Sequence, residues 1–221
     1  ECGPGRGAQE QTQGRIEVDI QTLEDYCNEH HGGKLVDPIS LMDSGAVHMS
    51  QTQVGYIGHW GAEDFYALEM PFLFDSHTHA TRVLEGEIGE NMLNSLAHNS
   101  PVRGLAFTYS GGFRCIASNK PITTAKDLEG LQMSVKTNPV FTDTARALGC
   151  HTTPLTEFSY LDEFDQLQDK DSETQDSSDL FQTTAIRYNR DVNHNNMPYV
   201  LDSKHSMYLT SILVSESFWQ M

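Results

Sequence analysis

The chain has 221 residues, of which 38% are hydrophobic and 20% charged, and this length can hold the core of one large or two small domains. Its 31 acidic side chains outnumber the 14 basic ones, which gives a formal net charge of −17. This surplus argues against nucleic acid or an anionic membrane surface as a partner, because both require a basic face, but it leaves room for a small anionic ligand in a cleft with local cations.

Short strands and short helices alternate along the first half of the chain. Apolar residues at every second position predict strands, whereas capping residues, a 3.6-residue period and terminal glycines predict helices. In chain order the predicted elements are a loose arm at Glu1–Gly14, a strand at Arg15–Ile20, helices at Thr22–His31 and Pro38–Asp43, a strand at Ala46–Ser50, an aromatic loop at Val54–Ala62 that either packs on the core or lines a cleft, a bent segment at Ala67–Phe74, and a helix from Asp75 or Ser76 to Leu96.

The segment from Gly104 to Gly149 organises the rest. It contains predicted strands at Leu105–Tyr109 and Phe113–Ala117 with a break at Ser110–Gly112, a short helix that Thr124 and Asp127 cap and Gly130 ends, a strand at Leu131–Val135 and a helix from Pro139. Strands that alternate with short helices predict parallel pairing in an α/β layer, and ligands bind such sheets at the carboxyl ends of the strands.

The remaining chain is polar until its last twenty residues. Lys170–Asp179 and Asp191–Pro198 have the composition of solvated linkers, Ser206–Val214 is a predicted strand, and a helix begins at Ser215. No run approaches the roughly eighteen apolar residues that a spanning helix requires, so direct membrane insertion is not predicted.

Several segments, taken in order, resemble one protein family. The central one is GFRCIASNKPITTAKDLEGLQMSVKTNPVF, and the two upstream segments are SGAVHM and ALEMPFLFDSHTHA. Downstream, ALGCHTTPLT, LQDKDSETQDSS and LVSESFW resemble divergent versions of three more family segments. Together they resemble the substrate-binding proteins of TRAP (tripartite ATP-independent periplasmic) transporters, the DctP-like family, from Gly14 to Trp219.

The resemblance implies an α/β, two-lobed periplasmic-binding-protein-like fold with a ligand cleft between the lobes. It implies lobe I at residues 1–111 plus 200–221 and lobe II at residues 112–199. It also implies a chain truncated at both ends, because family members begin with a further strand and helix and continue with long helices. The implied task is the capture of a small organic acid in the periplasm and its delivery to TRAP membrane permease subunits, without enzymatic chemistry and without a cofactor.

Arg114 is the strongest candidate for a ligand contact. It follows a Gly-Gly turn and stands in the otherwise apolar string FRCIA, where a guanidinium needs a partner. A carboxylate best matches its planar fork. The residues alone leave two alternatives open, a ligand carboxylate or a structural ion pair with one of the chain's acids, and the resemblance favours the ligand.

Ser134 departs from the family pattern. Members that resemble the string GLQMSV carry an arginine here, which clamps the ligand carboxylate, and the loss of that charge-assisted contact costs on the order of 1.5–3 kcal/mol. Lys136 lies two residues further along the predicted strand and faces the same way. It either supplies a replacement charge or is a solvated lysine.

Four further residues match family positions close to the pocket. The resemblance implies that they contact the ligand, although amides and hydroxyls are equally common in turns. These residues are Asn138, Gln175, Asp176 and Ser177.

A different function would use Asp75, His77 and His79. Carboxylate and imidazole at this spacing bind zinc or nickel on a strand, whereas residues two apart at a helix start do not face each other. A metal-binding protein or an enzyme is therefore the alternative, although the chain has no nucleophile elbow, phosphate loop or His-Glu zinc motif. A third possibility is a fragment or decayed copy that no longer binds ligand, because Ser134 replaces the family arginine.

Overall fold

The structure is a computed structural model that describes residues 13, 17–118, 120–136, 138–155, 182–186 and 199–221. Its helices are α1 Leu23–His30, α2 Pro38–Asp43, α3 Val54–Ile57, α4 His77–Leu84, α5 Glu87–Asn99, α6 Pro139–Ala147 and α7 Glu216–Trp219. Its strands are β1 Met49–Gln53, β2 Val102–Phe113, β3 Cys115–Ser118, β4 Gln132–Lys136, β5 His151–Leu155, β6 Gln182–Ile186, β7 Tyr199–Leu201 and β8 Met207–Ser215. Short 3-10 helices lie at Gly58–Trp60, Glu63–Glu69 and Ala125–Leu128. Within the described ranges no helix is both long enough and apolar enough to span a membrane.

The first sheet is antiparallel, with the order β1-β8-β2 among the described strands. Its central strand, β8, is almost entirely buried. Helix α5 can approach β2 closely because residue 104 is a glycine, where an added Cβ would lie 2.5 Å from Leu93 Cδ2. Leu96 of this helix packs with Leu209 and Leu213 of β8 in a core from which water is excluded.

The second sheet is mixed and has the order β5-β4-β6-β3-β7 among the described strands. β4 runs parallel to both β5 and β6, whereas β3 runs antiparallel to β6 and β7. Helix α6 connects β4 to β5, because parallel neighbours need a crossover rather than a tight turn. It packs Phe141 and Ala145 into a second core with Ile116, Met133 and Val135.

Two short crossings connect the sheets in the described part of the chain. β2 passes into β3 through Arg114, and β7 returns to β8 through residues 202–206. The crossings are hydrogen-bonded to each other, since Arg114 N donates to the carbonyl oxygen of Ser206 at 2.7 Å. Two sheets with separate hydrophobic cores make this the expected two-lobed α/β fold.

Local signals predicted several elements correctly. Thr124–Asp127 forms the predicted capping box, and Pro139 is the first residue of α6. Gly130 and Gly149 have φ angles of 75° and 82°, in the left-handed region that favours glycine after a helix. The other confirmed elements are α1, α2, β4, β8 and α7.

The predicted break at Ser110–Gly112 is wrong. β2 continues through it and keeps its ladder with β8, because a register shift between Tyr109 and Phe113 takes up the additional residues. Gly111 has a φ of 114°, which suits such an irregularity in a strand. The strand ends at Phe113 instead, and Arg114 separates it from β3.

The predicted parallel pairing of strands 113–117 and 131–135 is also wrong. β6 lies between β3 and β4, antiparallel to one and parallel to the other, so β3 and β4 run in opposite directions. β6 comes from a distant part of the chain, which local patterns cannot place between two nearby strands.

The strand predicted at Arg15–Ile20 is absent over the described residues Glu17–Ile20. Val18 and Ile20 are 39% and 59% exposed, so their alternation has no core to face. The helix predicted from Ser76 to Leu96 is two helices, because Gly86 adopts an extended conformation between α4 and α5.

Two further predictions are shifted rather than lost. The strand predicted at Ala46–Ser50 begins at Met49, and the loop at Val54–Ala62 forms α3 and a 3-10 turn. Three predicted segments lie outside the described residues, apart from Gln13: Glu1–Gly14, Lys170–Asp179 and Asp191–Pro198.

A substitution of Gly89 tests the close packing between α4 and α5. Glycine to alanine in a helix interior normally stabilises by about 1 kcal/mol. An added Cβ at Gly89 would instead overlap the carbonyl oxygen of Leu84. We therefore expect Gly89→Ala to lower the free energy of unfolding in denaturant titrations by about 2 kcal/mol, because backbone has to move. Gly112→Ala, where the new Cβ meets nothing within 4 Å, is the control, and a more stable Gly89→Ala variant would contradict the packing.

Candidate ligand site around Arg114

Arg114 is the largest side chain that the described structure buries completely, with 1% of its surface exposed. Its guanidinium carbon lies 4.3 Å from the centre of the Tyr208 ring and 4.8 Å from that of Phe141. Tyr208 belongs to β8 of the first sheet, and Phe141 to α6 beside the second. Rings from both lobes therefore hold the guanidinium through cation–π contacts.

Glu69 is the ionic partner of Arg114. Its Oε1 accepts a hydrogen bond from Arg114 Nη2 at 3.0 Å, and its Oε2 accepts one from Ser206 Oγ at 3.4 Å. Arg114 Nε and Nη1 are equally buried but have no hydrogen-bond partner among the described residues. Among the described residues, two of the three guanidinium nitrogens therefore lack an acceptor.

Gly55 allows this packing because it has no side chain. An added Cβ would lie 2.6 Å from Asn138 Nδ2 and 2.8 Å from Glu69 Oε1, closer than real Cβ contacts occur. Asn138 donates from Nδ2 to the Gly55 carbonyl at 3.5 Å, while its Oδ1 accepts from Val140 N at 2.9 Å. Asn138 thus caps α6 and joins that helix to α3.

Lys136 reaches the same cluster from β4. Its Nζ donates to Gln53 Oε1 at 2.6 Å, and the Gln53 amide donates to the hydroxyl of Tyr208. A hydrogen-bonded path therefore runs from the second sheet, through β1, to the ring that covers Arg114.

Three of the residues predicted to contact a ligand lie in this cluster: Arg114, Lys136 and Asn138. Ser134 is on the same strand as Lys136, two residues earlier. The structural ion pair that the sequence left open for Arg114 is present, with Glu69 as the acid. Three of the predicted residues lie outside the described part of the chain, and their ligand contacts stay predictions: Gln175, Asp176 and Ser177.

Sequence reasoning missed Glu69, Phe141 and Tyr208 as members of the cluster. A signal existed for Glu69, which is the lone charge in the apolar string ALEMPFLF and would need a partner if buried. Phe141 and Tyr208 gave no comparable signal, because aromatic residues on a helix or strand are ordinary core residues.

The Asp75, His77 and His79 cluster forms the start of α4. His77 packs on the Tyr109 ring with centres 4.9 Å apart, and His79 packs on Phe74 with centres 5.6 Å apart. Asp75 Oδ1 lies 3.2 Å from His79 Nδ1. The two imidazoles thus contact different rings, and the described residues contain no group of three metal-binding side chains.

A hollow of about 230 Å³ lies beside β3 and β7, away from Arg114. Its lining residues are Ser118, Pro121, Ile122, Thr123, Tyr199, Val200 and Leu201. The candidate ligand site is therefore defined by the guanidinium nitrogens without partners, and not by this hollow.

His205 lies in the crossing that returns to β8. Burial and, to a smaller extent, the positive charge of Arg114 lower the pKa of His205 to about 4, and Asp202 opposes this shift. Ser203 Oγ and His205 Nδ1 are hydrogen-bonded. The imidazole is therefore neutral in the folded protein at neutral pH.

The chain belongs to the DctP family, the bacterial extracellular solute-binding proteins, family 7, whose sequence model matches residues 6–168. A solute-binding protein of Roseobacter denitrificans is 31% identical over 209 residues, which are 94% of this chain and 58% of that protein. The C4-dicarboxylate-binding periplasmic protein DctP of Rhodobacter capsulatus is 26% identical over 142 residues, or 64% of this chain and 40% of that one.

The fold is that of solved TRAP periplasmic solute-binding proteins. The crystal structure of one from Roseobacter denitrificans, with bound L-galactonate, has a TM-score of 0.77 and 30% identity, and covers 98% of this chain and 66% of that chain. The chain thus spans 58% of the length of its Roseobacter relative.

The buried imidazole of His205 predicts acid sensitivity. Because the pKa is about 4 in the folded state against an ordinary 6.5, its stabilising contribution is complete above pH 6.5 and is lost as the pH falls toward 4. We expect the free energy of unfolding to fall by about 2 kcal/mol between about pH 8 and pH 5 from this group alone.

Urea titrations at both pH values measure this effect. His205→Asn should reduce the fall in the free energy of unfolding between the two pH values by most of these roughly 2 kcal/mol. His151→Asn, at an exposed position, should leave that fall unchanged. An equal pH dependence in the protein and in His205→Asn would contradict the assignment.

Proposed function

We propose that this protein is a periplasmic receptor that captures a small organic acid and delivers it to TRAP membrane permease subunits. The observation that carries the proposal is the buried guanidinium of Arg114, which has two nitrogens without a partner in the described structure. Membership of an extracellular solute-binding family supports it. The task is capture without enzymatic chemistry or a cofactor.

Burial makes Arg114 a strong donor. An N–H group that is removed from water and left without an acceptor costs about 1–3 kcal/mol, so an oxygen that binds Nε or Nη1 recovers that free energy. Charge-assisted bonds to carboxylate oxygens are the strongest of this kind. The Tyr208 and Phe141 rings restrict the guanidinium plane, so little side-chain entropy remains to be lost on binding.

We propose that Arg114 is the anchor of the site and that residues near it make the other ligand contacts. Lys136 and Asn138 are hydrogen-bonded into the same cluster. Ser134, together with Gln175, Asp176 and Ser177, would complete the contacts. The proposed lobes are residues 1–111 plus 200–221 and residues 112–199, which would close on the ligand by a hinge motion.

L-galactonate is the first ligand to test, because it is bound in the related Roseobacter structure. A thermal-shift screen that also contains dicarboxylates, keto acids and other sugar acids would identify the class, since a bound ligand raises the melting temperature by mass action. A screen without any stabilising acid would contradict the proposed function.

Arg114→Lys tests the anchor. Lysine keeps the positive charge but lacks the two guanidinium nitrogens, so we expect the affinity for the acid found in the screen to fall roughly ten- to a hundredfold in calorimetry.

Arg103→Lys is the matched control. Arg103 also forms an ion pair, from Nη2 to Glu216 Oε1 at 3.0 Å, and stacks on Trp219. We expect this variant to bind the acid with unchanged affinity. If Arg114→Lys and the unmodified protein bind the acid with equal affinity, Arg114 is not part of the ligand site.

Lys136→Ala tests the second cation. If Lys136 supplies a charge to the ligand, its removal should weaken acid binding about tenfold in calorimetry, the lower end of a charged hydrogen bond. Lys126→Ala, at an exposed position in the Ala125–Leu128 turn, serves as control. Unchanged affinity after Lys136→Ala would show that Lys136 supplies no charge to the ligand.

A further inference from the structure

The ion pair between Arg114 and Glu69 has a consequence for the charge of the ligand. Their side chains are 0% and 1% exposed, with Nη2 and Oε1 3.0 Å apart. Water does not screen charges at such positions as it does at the surface. A ligand oxygen on Nε or Nη1 binds the same guanidinium that Glu69 already neutralises.

The charged side chains described in this cluster can balance little negative charge on a ligand. The cations are Arg114 and Lys136, and the anion is Glu69. These three side chains balance at most one ligand carboxylate. An acid outside the described residues, such as the proposed ligand contact Asp176, would reduce that number further. His205, which also faces Arg114, is neutral and adds no cation.

We propose that Glu69 makes the site prefer ligands with a single carboxylate and hydroxyl groups, such as a six-carbon sugar acid, over dicarboxylates. This inference rests on the proposed function. The first carboxylate shares Arg114 with Glu69. A second carboxylate in the same buried region would exceed the positive charge of Arg114 and Lys136 and would repel Glu69, whereas a hydroxyl in its place only exchanges hydrogen bonds.

Three ligands with one carbon skeleton test the inference on the unmodified protein. Galactitol, L-galactonate and galactarate have the same hydroxyl configuration and carry none, one and two carboxylates. We expect L-galactonate to bind at least about tenfold more tightly than galactarate in calorimetry at neutral pH, and more tightly than galactitol. D-gluconate and D-glucarate form a second pair, for a site that selects the gluco rather than the galacto configuration.

Glu69→Gln is the decisive variant. Glutamine keeps an oxygen that accepts from Arg114 Nη2 but removes the negative charge, so we expect the ratio of galactarate to L-galactonate affinity to rise about tenfold. A purely structural role of Glu69 would weaken both ligands equally and leave that ratio unchanged. Glu63→Gln, at an exposed position of the same 3-10 helix, should keep the original ratio.

The outcomes separate the two proposals. If organic acids bind but the diacid binds as tightly as the monoacid, the role of Glu69 is wrong and the receptor function stands. If Glu69→Gln folds and leaves the ratio unchanged, the role is likewise wrong. If neither the galactonate–galactarate pair nor the gluconate–glucarate pair binds, and no screened acid binds either, the receptor function fails. This inference then fails with it. Should Glu69→Gln not fold, the ligand series on the unmodified protein still decides.

Discussion

The buried ion pair between Arg114 and Glu69 is the constraint on which the described structure depends most. Removal of two charges from water costs several kcal/mol per ion, and only close geometry with further hydrogen bonds offsets that cost. Glu69 receives such bonds from Arg114 and from Ser206. Among the described residues, the Arg114 guanidinium donates only one hydrogen bond, and two aromatic rings lie against it. The pair is therefore satisfied on the acid side and incomplete on the cation side.

The surrounding residues are arranged to fit this pair. Gly55 leaves the space that Glu69 and Asn138 occupy, and any side chain at this position would displace one of them. Arg114 and Ser206 also tie the two crossings together through their backbones. The guanidinium therefore lies beside the two segments about which the proposed lobes would move.

The elements that the sequence predicted well are those with local causes. The Thr124–Asp127 capping box and the helix behind Pro139 depend on residues a few positions apart, so their patterns are visible in the chain itself. β6 inserts between β3 and β4 from a distant segment, and the β2 ladder continues past its glycines because β8 pairs with it. Both outcomes depend on partners that a local pattern does not contain. The same holds in the site: Arg114 stood out as a charge in an apolar strand, but its ionic partner lies 45 residues away in the chain.

The incomplete side of the pair supports the proposal that Arg114 binds a ligand. A purely structural arginine at this depth would normally have its nitrogens hydrogen-bonded within the fold, because each buried donor without an acceptor is destabilising. In Arg114 the carboxylate of Glu69 uses Nη2, the rings cover the faces of the guanidinium, and the two other nitrogens have no acceptor in the described structure. The resulting donor has a fixed direction and a charge that is already partly neutralised. In the proposed receptor, such a donor would favour an oxygen-rich ligand of low charge. A ligand bound there would contact residues of both lobes, since Phe141 and Tyr208 come from opposite sides of the crossings.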